Sequence, residues 1–334
     1  MITPSFSLTA TERVLPRMAL DFTTASLDSR VTFTRVGNTA TVTNSSGVIA
    51  AINANLPRFD FDPTTLVCKG LLIEESRTNL LLNSLIDGTN LATQLVTTTA
   101  VAHTLTFYGT GQIVLTGTSS ATVVGTGAYP SRRTLTFTPT AGVLTLTVTG
   151  TVQYAQLEAA SYASSFIPTA ASQVTRSADV ATMTGTNFSD WFNATEGAIY
   201  AQFTPAFPST LATGVFGPVQ IDNGSTTNRI QIRISDAVGI RGLFQVAGTP
   251  TFLGGSAFVA NSTNNAGLAF KNATNIMYVN ASGNGTSANN VPTGLNILRI
   301  GSEGSTATTF TGIIKKISFY PQRLINNEVQ AFSK

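Results

Sequence analysis

The chain has 334 residues, 42% apolar and 10% charged, and its 19 basic and 16 acidic side chains leave a formal net charge of +3. The length allows two or three domains and the apolar share supplies a core; the Thr, Ser, Asn and Gly that replace charge disfavour helices, and the apolar residues that recur throughout disfavour disorder. No basic stripe interleaved with aromatics points to nucleic acid, no run of about 18 apolar residues could form a spanning helix, and the lone Cys68 rules out an intrachain disulfide. One Cys and one His cannot make a usual zinc site. The start, "MITPSFSLTATERVLPRMALDF", lacks a basic segment followed by an apolar run, so no signal peptide is expected.

In chain order, residues 1–84 begin with short alternations. Val31, Phe33 and Val36 sit between polar residues, Gly37-Asn38 turns, Thr41-Val42-Thr43 follows, and Asn44 to Gly47 turns again. This pattern predicts a small β meander. Residues 85–168 alternate at period two, with Leu135 and Phe137 on one face of a strand and Leu144, Leu146 and Val148 on one face of the next. Thr fills the opposite face, and one buried plus one solvated face predicts an antiparallel sandwich or jelly roll. Residues 169–185 read as a linker or crossing strand. Residues 186–334 give a second β series with turns rich in Gly and Asn, the spacing of a larger sandwich. The C-terminal "LINNEVQAFSK" predicts one helix, with Asn326 as cap, Glu328 in the first turn, and Val329 and Phe332 on one face. The fold class is therefore all-β: a meander, two antiparallel sandwiches and a short terminal helix.

Charge is concentrated in one place. Of 35 charged residues, seven lie between Arg58 and Arg77, namely Arg58, Asp60, Asp62, Lys69, Glu74, Glu75 and Arg77, whereas residues 88–131 contain none. Asp60 and Asp62 form a D-x-D whose side chains would share one side of a strand, as a metal site requires, but they also flank the Asp62-Pro63 turn. Glu74 and Glu75 are neighbours, so on a strand they point apart and do not face one bond as a glycosidase pair must. Glu158 is the only acid between Asp87 and Asp179, and is read as a carboxylate capping backbone amides or pairing with Arg. Cys68 beside Lys69 is read as an apolar filler, His103 as a plain strand residue, and Trp191 as core. No nucleophile elbow or phosphate loop occurs.

The run "RFDFDPTTLVCKGLLIEESRTNLLLNS" resembles a recurrent element of bacteriophage virion spike and fibre proteins, and "YAQLEAASYASSFIPTAASQVTRSADVATM" resembles a second. There the second closes a jelly-roll module of carbohydrate-binding type. The stretch from "NFSDWFNATEGAIYAQF" to "GIIKKISFYPQRLINNEVQAF" looks like a concanavalin/laminin-G-like sandwich. The resemblance implies a non-enzymatic virion-surface protein, homotrimeric, held to other virion proteins by its N-terminal region and displaying lectin-like modules toward host glycans, without cofactor, nucleic acid or membrane insertion. A decoration protein without ligand and a polysaccharide depolymerase are the alternatives. Some lectin-like relatives bind calcium; Asp222-Asn223 is the comparable spot here and is equally a hairpin turn, so no metal is assigned. The expected role of Arg58, Asp60, Asp62, Glu74, Glu75 and Arg77 is a subunit interface, where Arg–carboxylate pairs fix register.

Overall fold

The computed structural model describes residues 14–37, 39–209, 215–235, 238–304 and 309–334; residues 1–13 of the expected anchoring region lie outside them. The chain first forms β1 (Met18–Asp21), a 3₁₀ turn (Phe22–Thr24), β2 (Thr32–Thr34), β3 (Ala40–Thr43), β4 (Ile49–Ile52), β5 (Arg58–Phe61), β6 (Cys68–Ile73) and β7 (Arg77–Asn79). Next come β8 (Gln94–Thr98), β9 (His103–Tyr108), β10 (Gln112–Gly117), β11 (Ala121–Val124), β12 (Arg133–Phe137), β13 (Gly142–Thr149) and β14 (Gln153–Glu158). The return begins with β15 (Val174–Arg176), β16 (Val180–Thr184), the single-turn α1 (Thr186–Ser189), β17 (Glu196–Pro205), β18 (Val215–Asp222), β19 (Arg229–Ser235), β20 (Gly239–Val246) and β21 (Thr249–Ser256). It ends with β22 (Asn264–Lys271), β23 (Asn275–Val279), β24 (Ser282–Ser287), β25 (Ile297–Ile300), β26 (Gly312–Tyr320) and α2 (Asn326–Phe332).

The all-β, two-sandwich architecture is the one observed. In the smaller sandwich the sheet β11-β10-β13-β8 faces the sheet β12-β9-β14. Leu144 and Leu146 of β13 point inward with Ile113 and Leu115 of β10, and meet Leu105 and Phe107 of β9 and Leu157 of β14. The intervening threonines lie on the outer face, where β-branched side chains suit a pleated surface.

The larger sandwich packs the sheet β24-β23-β22-β17-β26-β6-β5, to which β1 adds along β26, on the sheet β2-β16-β25-β18-β19-β20-β21. Ile199 and Phe203 of β17, Leu268 of β22 and Phe319 of β26 meet Ile221 of β18, Ile232 of β19 and Phe244 of β20, with Trp191 closing one end. Helix α2 begins with Ile325 at the cap position rather than Asn326, because the Glu328 carboxylate accepts the Ile325 N–H at 3.1 Å and already satisfies that turn.

The strands divide the chain differently from the sequence boundaries. The first 84 residues do not form a separate meander: β1, β2, β5 and β6 are strands of the larger sandwich, β3–β4 stands apart as a hairpin and β7 pairs with β15. Residues 169–185 are not a linker either, since β16 lies inside the seven-stranded sheet, pairing Ala181 with Phe33 and Met183 with Leu298. The smaller sandwich is thus an insertion between β6 and β16. The chain leaves through β7 and returns through β15, and these two strands pair with each other as a neck.

Each sandwich has its own core, so damage to one should spare the other. Leu146→Ala removes a fully buried side chain of the smaller sandwich and should destabilise it by about 2–5 kcal/mol. Calorimetry should show one transition lowered and a second, from the larger sandwich, unmoved; a uniform fall of a single transition would mean the neck makes both units one cooperative body.

Candidate functional site

The charged segment forms the neck. Arg58 opens β5 with its guanidinium fully buried, and its Nη1 donates to Glu74 Oε2 at 2.6 Å, to the Thr41 carbonyl at 3.1 Å and to Ser165 Oγ at 2.8 Å. Its Nη2 pairs with Asp179, which also accepts the Glu74 N–H at 2.9 Å and Arg35 Nη1 at 3.0 Å. Glu74 also pairs with Arg176 at 3.0 Å and accepts the Ser165 N–H and hydroxyl, both at 2.6 Å. In the β7–β15 pair Arg77 stands directly opposite Arg176, a like-charge arrangement that is unfavourable alone. Each has its own carboxylate: Arg77 pairs with Glu75, and Arg176 with Glu74. Glu75 further accepts the Tyr162 hydroxyl, and Arg77 lies 4.6 Å over the Tyr162 ring.

Arg58 and Glu74 are 0% and 2% exposed with partners from their own chain, so neither can contact another subunit, contrary to the interface role expected for them. Asp60 pairs with Lys69 and accepts the Thr43 N–H at 3.2 Å, whereas Asp62 turns away to accept the N–H groups of Thr64 and Thr65 at 2.9 and 2.7 Å. The D-x-D therefore does not converge, and among the described residues no three His, Cys, Asp or Glu side chains gather as metal ligands. Glu158 is buried and accepts the Ser164 N–H at 2.9 Å and its hydroxyl at 2.5 Å. Cys68 lies 3.5 Å from the Phe22 carbonyl and burial pushes its thiol pKa up, away from a reactive thiolate. His103 is a buried strand residue whose Nδ1 lies 2.8 Å from the Val101 carbonyl, and Trp191 is core. Asp222 is buried against Arg299 at 2.6 Å, while Asn223 closes its turn on Ser225.

Sequence reasoning missed one concavity among the described residues. A cleft of about 500 Å³ opens between the β3–β4 hairpin, the outer face of β9 and β12, and the loop 161–166 that follows β14. Tyr108 and Tyr129 line it with ring centroids 5.2 Å apart, and the Tyr129 hydroxyl meets Thr43 Oγ1 at 2.9 Å. Burial raises the pKa of both phenols, so both remain neutral donors. Thr134, Thr136, Ser161 and Asn261 add hydroxyl and amide groups, and Arg132, half-buried, donates to the Ser164 carbonyl at 2.9 Å and to Thr106 Oγ1 at 2.8 Å. The only signals for this site are two tyrosines beside glycine or proline, and an arginine pair that ends the charge-free run.

No family model and no curated protein matches the chain. Among solved structures it is similar to the CBM40 of the Ruminococcus gnavus IT-sialidase bound to α2,3 sialyllactose (17% identity, TM-score 0.36, covering 42% of this chain and 83% of that one). It is also similar to Domain 4 of AbnA, a GH43 extracellular arabinanase from Geobacillus stearothermophilus, in complex with arabinotriose (14%, 0.38, 52% and 81%). A third is the NanB sialidase of Streptococcus pneumoniae (17%, 0.37, 46% and 26%).

The neck should be acid-labile. Burial opposes the Glu74 charge, but Arg176, Arg58 and the Ser165 donors outweigh it and hold the carboxyl at about 2 against an ordinary 4.5. That stabilisation is complete above about pH 4.5 and is lost as pH falls through 2, a loss of about 3 kcal/mol. Glu74→Gln should cost about 3–5 kcal/mol at neutral pH by leaving buried guanidinium charge unpaired, and should flatten the pH dependence between 4.5 and 2. Denaturant melts of both proteins across that range measure it; parallel pH profiles would refute the assignment.

Proposed function

We propose that the chain is a non-enzymatic glycan-binding protein of a bacteriophage virion surface, a fibre or spike built from trimers, and that the cleft beside the neck holds the sugar. The observation that carries the glycan reading is the cleft's composition: two neutral tyrosines side by side, rimmed by hydroxyl and amide groups. A sugar ring presents apolar C–H faces to aromatic rings and hydroxyls to such donors and acceptors. The two carboxylates that reach the cleft are committed elsewhere, Glu74 to Arg58 and Arg176 and Asp60 to Lys69, which favours binding over hydrolysis. The virion placement and trimeric assembly rest on the two sequence elements that resemble spike and fibre proteins, and Asp60, Asp62 and Glu75 remain the neck-region acids with enough exposure to meet a neighbouring subunit.

Two measurements test this. Purified protein should stay on intact host cells, and Tyr129→Ala should reduce retention at least about tenfold while leaving the melting profile within a few degrees; undiminished retention would move the sugar site elsewhere. Light scattering should give about three times the 34.9 kDa chain mass; a monomer would remove the trimeric fibre and leave the cleft reading intact.

A further inference from the structure

We infer that the glycan taken by this cleft carries a carboxylate and that Arg132 is the residue that recognises it; the inference rests on the cleft being the sugar site. Among the charged side chains around the neck, arginines come with acids. Arg35 faces Asp179, Arg58 faces Asp179 and Glu74, Arg77 faces Glu75 and Arg176 faces Glu74. Arg132 departs from this rule. Its protein partners are two neutral oxygens, the Ser164 carbonyl and Thr106 Oγ1, and among the described residues no carboxylate lies within ion-pair distance of it.

Two further features make this guanidinium a recognition group. First, Ser164 and Thr106 hold it in one place through one N–H of each Nη, and with Nε buried one N–H on each Nη remains for a ligand. A fixed planar fork with donors to spare matches a carboxylate in two-point geometry. Second, the acids near it do not compensate. Asp60 lines the same cleft but is neutralised by Lys69, and Glu74 is neutralised within the neck. The cleft thus offers one uncompensated positive charge beside a pair of tyrosines, so a ligand with an aromatic-stacking ring and a carboxylate, an acidic sugar, satisfies both.

Two matched pairs of probes test it by titration calorimetry: trigalacturonate against its carboxyl-reduced form, and 3′-sialyllactose against lactose. The uronate and sialic acid pairs distinguish the two sources of a sugar carboxylate. The acidic member of at least one pair should bind about tenfold or more tighter than its neutral counterpart, and that preference should shrink with added salt. Arg132→Gln should abolish the preference, and Arg132→Lys, which keeps the charge but not the fork, should retain part of it. Equal binding of acidic and neutral members, or a preference unaltered in Arg132→Gln, would overturn the inference while leaving the cleft as a sugar site. Absence of binding by all four probes would overturn the inference and remove the cleft reading with it.

Discussion

The buried contact among Arg35, Arg58, Arg176, Glu74 and Asp179 is the constraint from which the rest of the arrangement follows. Taking several charges out of water costs several kcal/mol for each ion, and replacing such a cluster by apolar side chains of similar volume is often neutral or stabilising. Its value lies in what it forbids. Each guanidinium finds its carboxylate only when the strand leaving for the inserted sandwich and the strand returning from it lie side by side. A one-residue slip of β7 on β15 would put Arg77 and Arg176 on opposite faces of the pair and leave charge unpaired in the interior. The cluster thus selects one register for a junction that the two apolar cores, each indifferent to the other, leave undetermined.

The same contact builds two walls of the cleft. Arg58 reaches the Thr41 carbonyl and so fixes the β3–β4 hairpin, and Ser165, gripped by Glu74 and Arg58, fixes the loop that follows β14. Thr41 Oγ1 closes the link by donating to the Phe166 carbonyl at 2.5 Å. Gly47 lets the hairpin turn approach the chain at Pro63, because it adopts φ +74° and a Cβ there would sit 2.6 Å from the Pro63 carbonyl oxygen. The cleft is held by neck charges already committed to one another, which is how a site on loops acquires fixed geometry.

What the sequence disclosed follows from the range of the interactions. Strand alternation is local, so Leu144 and Leu146 were legible as one face of a strand. So were the turn at Asn44–Gly47 and the polar role of Glu158, whose partner Ser164 is six residues away. The neck was visible only as an excess of charge. Three of its pairs lie within the segment, Arg58–Glu74, Arg77–Glu75 and Lys69–Asp60, and the mixed signs hinted at them. Asp179, Arg176 and Arg35 come from elsewhere in the chain, with Asp179 121 positions from Arg58, and no spacing rule reaches that far. The runs 58–84 and 154–183 are therefore the outgoing and returning sides of one junction. Asn79 was invisible for the same reason. It is fully buried in β7, donates to the Ala155 and Ile167 carbonyls and accepts the Leu81 and Leu157 N–H groups, stitching the neck to β14 with an amide that reads in sequence as an ordinary turn residue.

Where the acids stand also bears on what chemistry the chain can support. A general acid needs a carboxyl near neutral pKa with a proton to give, and a nucleophile or base needs a free lone pair aimed at a substrate. Glu74 has two guanidiniums and two Ser165 donors on its oxygens, and Glu158 is capped by Ser164. Asp179 holds two guanidiniums and a backbone N–H, and Glu75 holds Arg77 and the Tyr162 hydroxyl. Satisfying these groups is what makes their burial tolerable. The adjoining cleft is lined by hydroxyls, amides, aromatic rings and one positioned guanidinium.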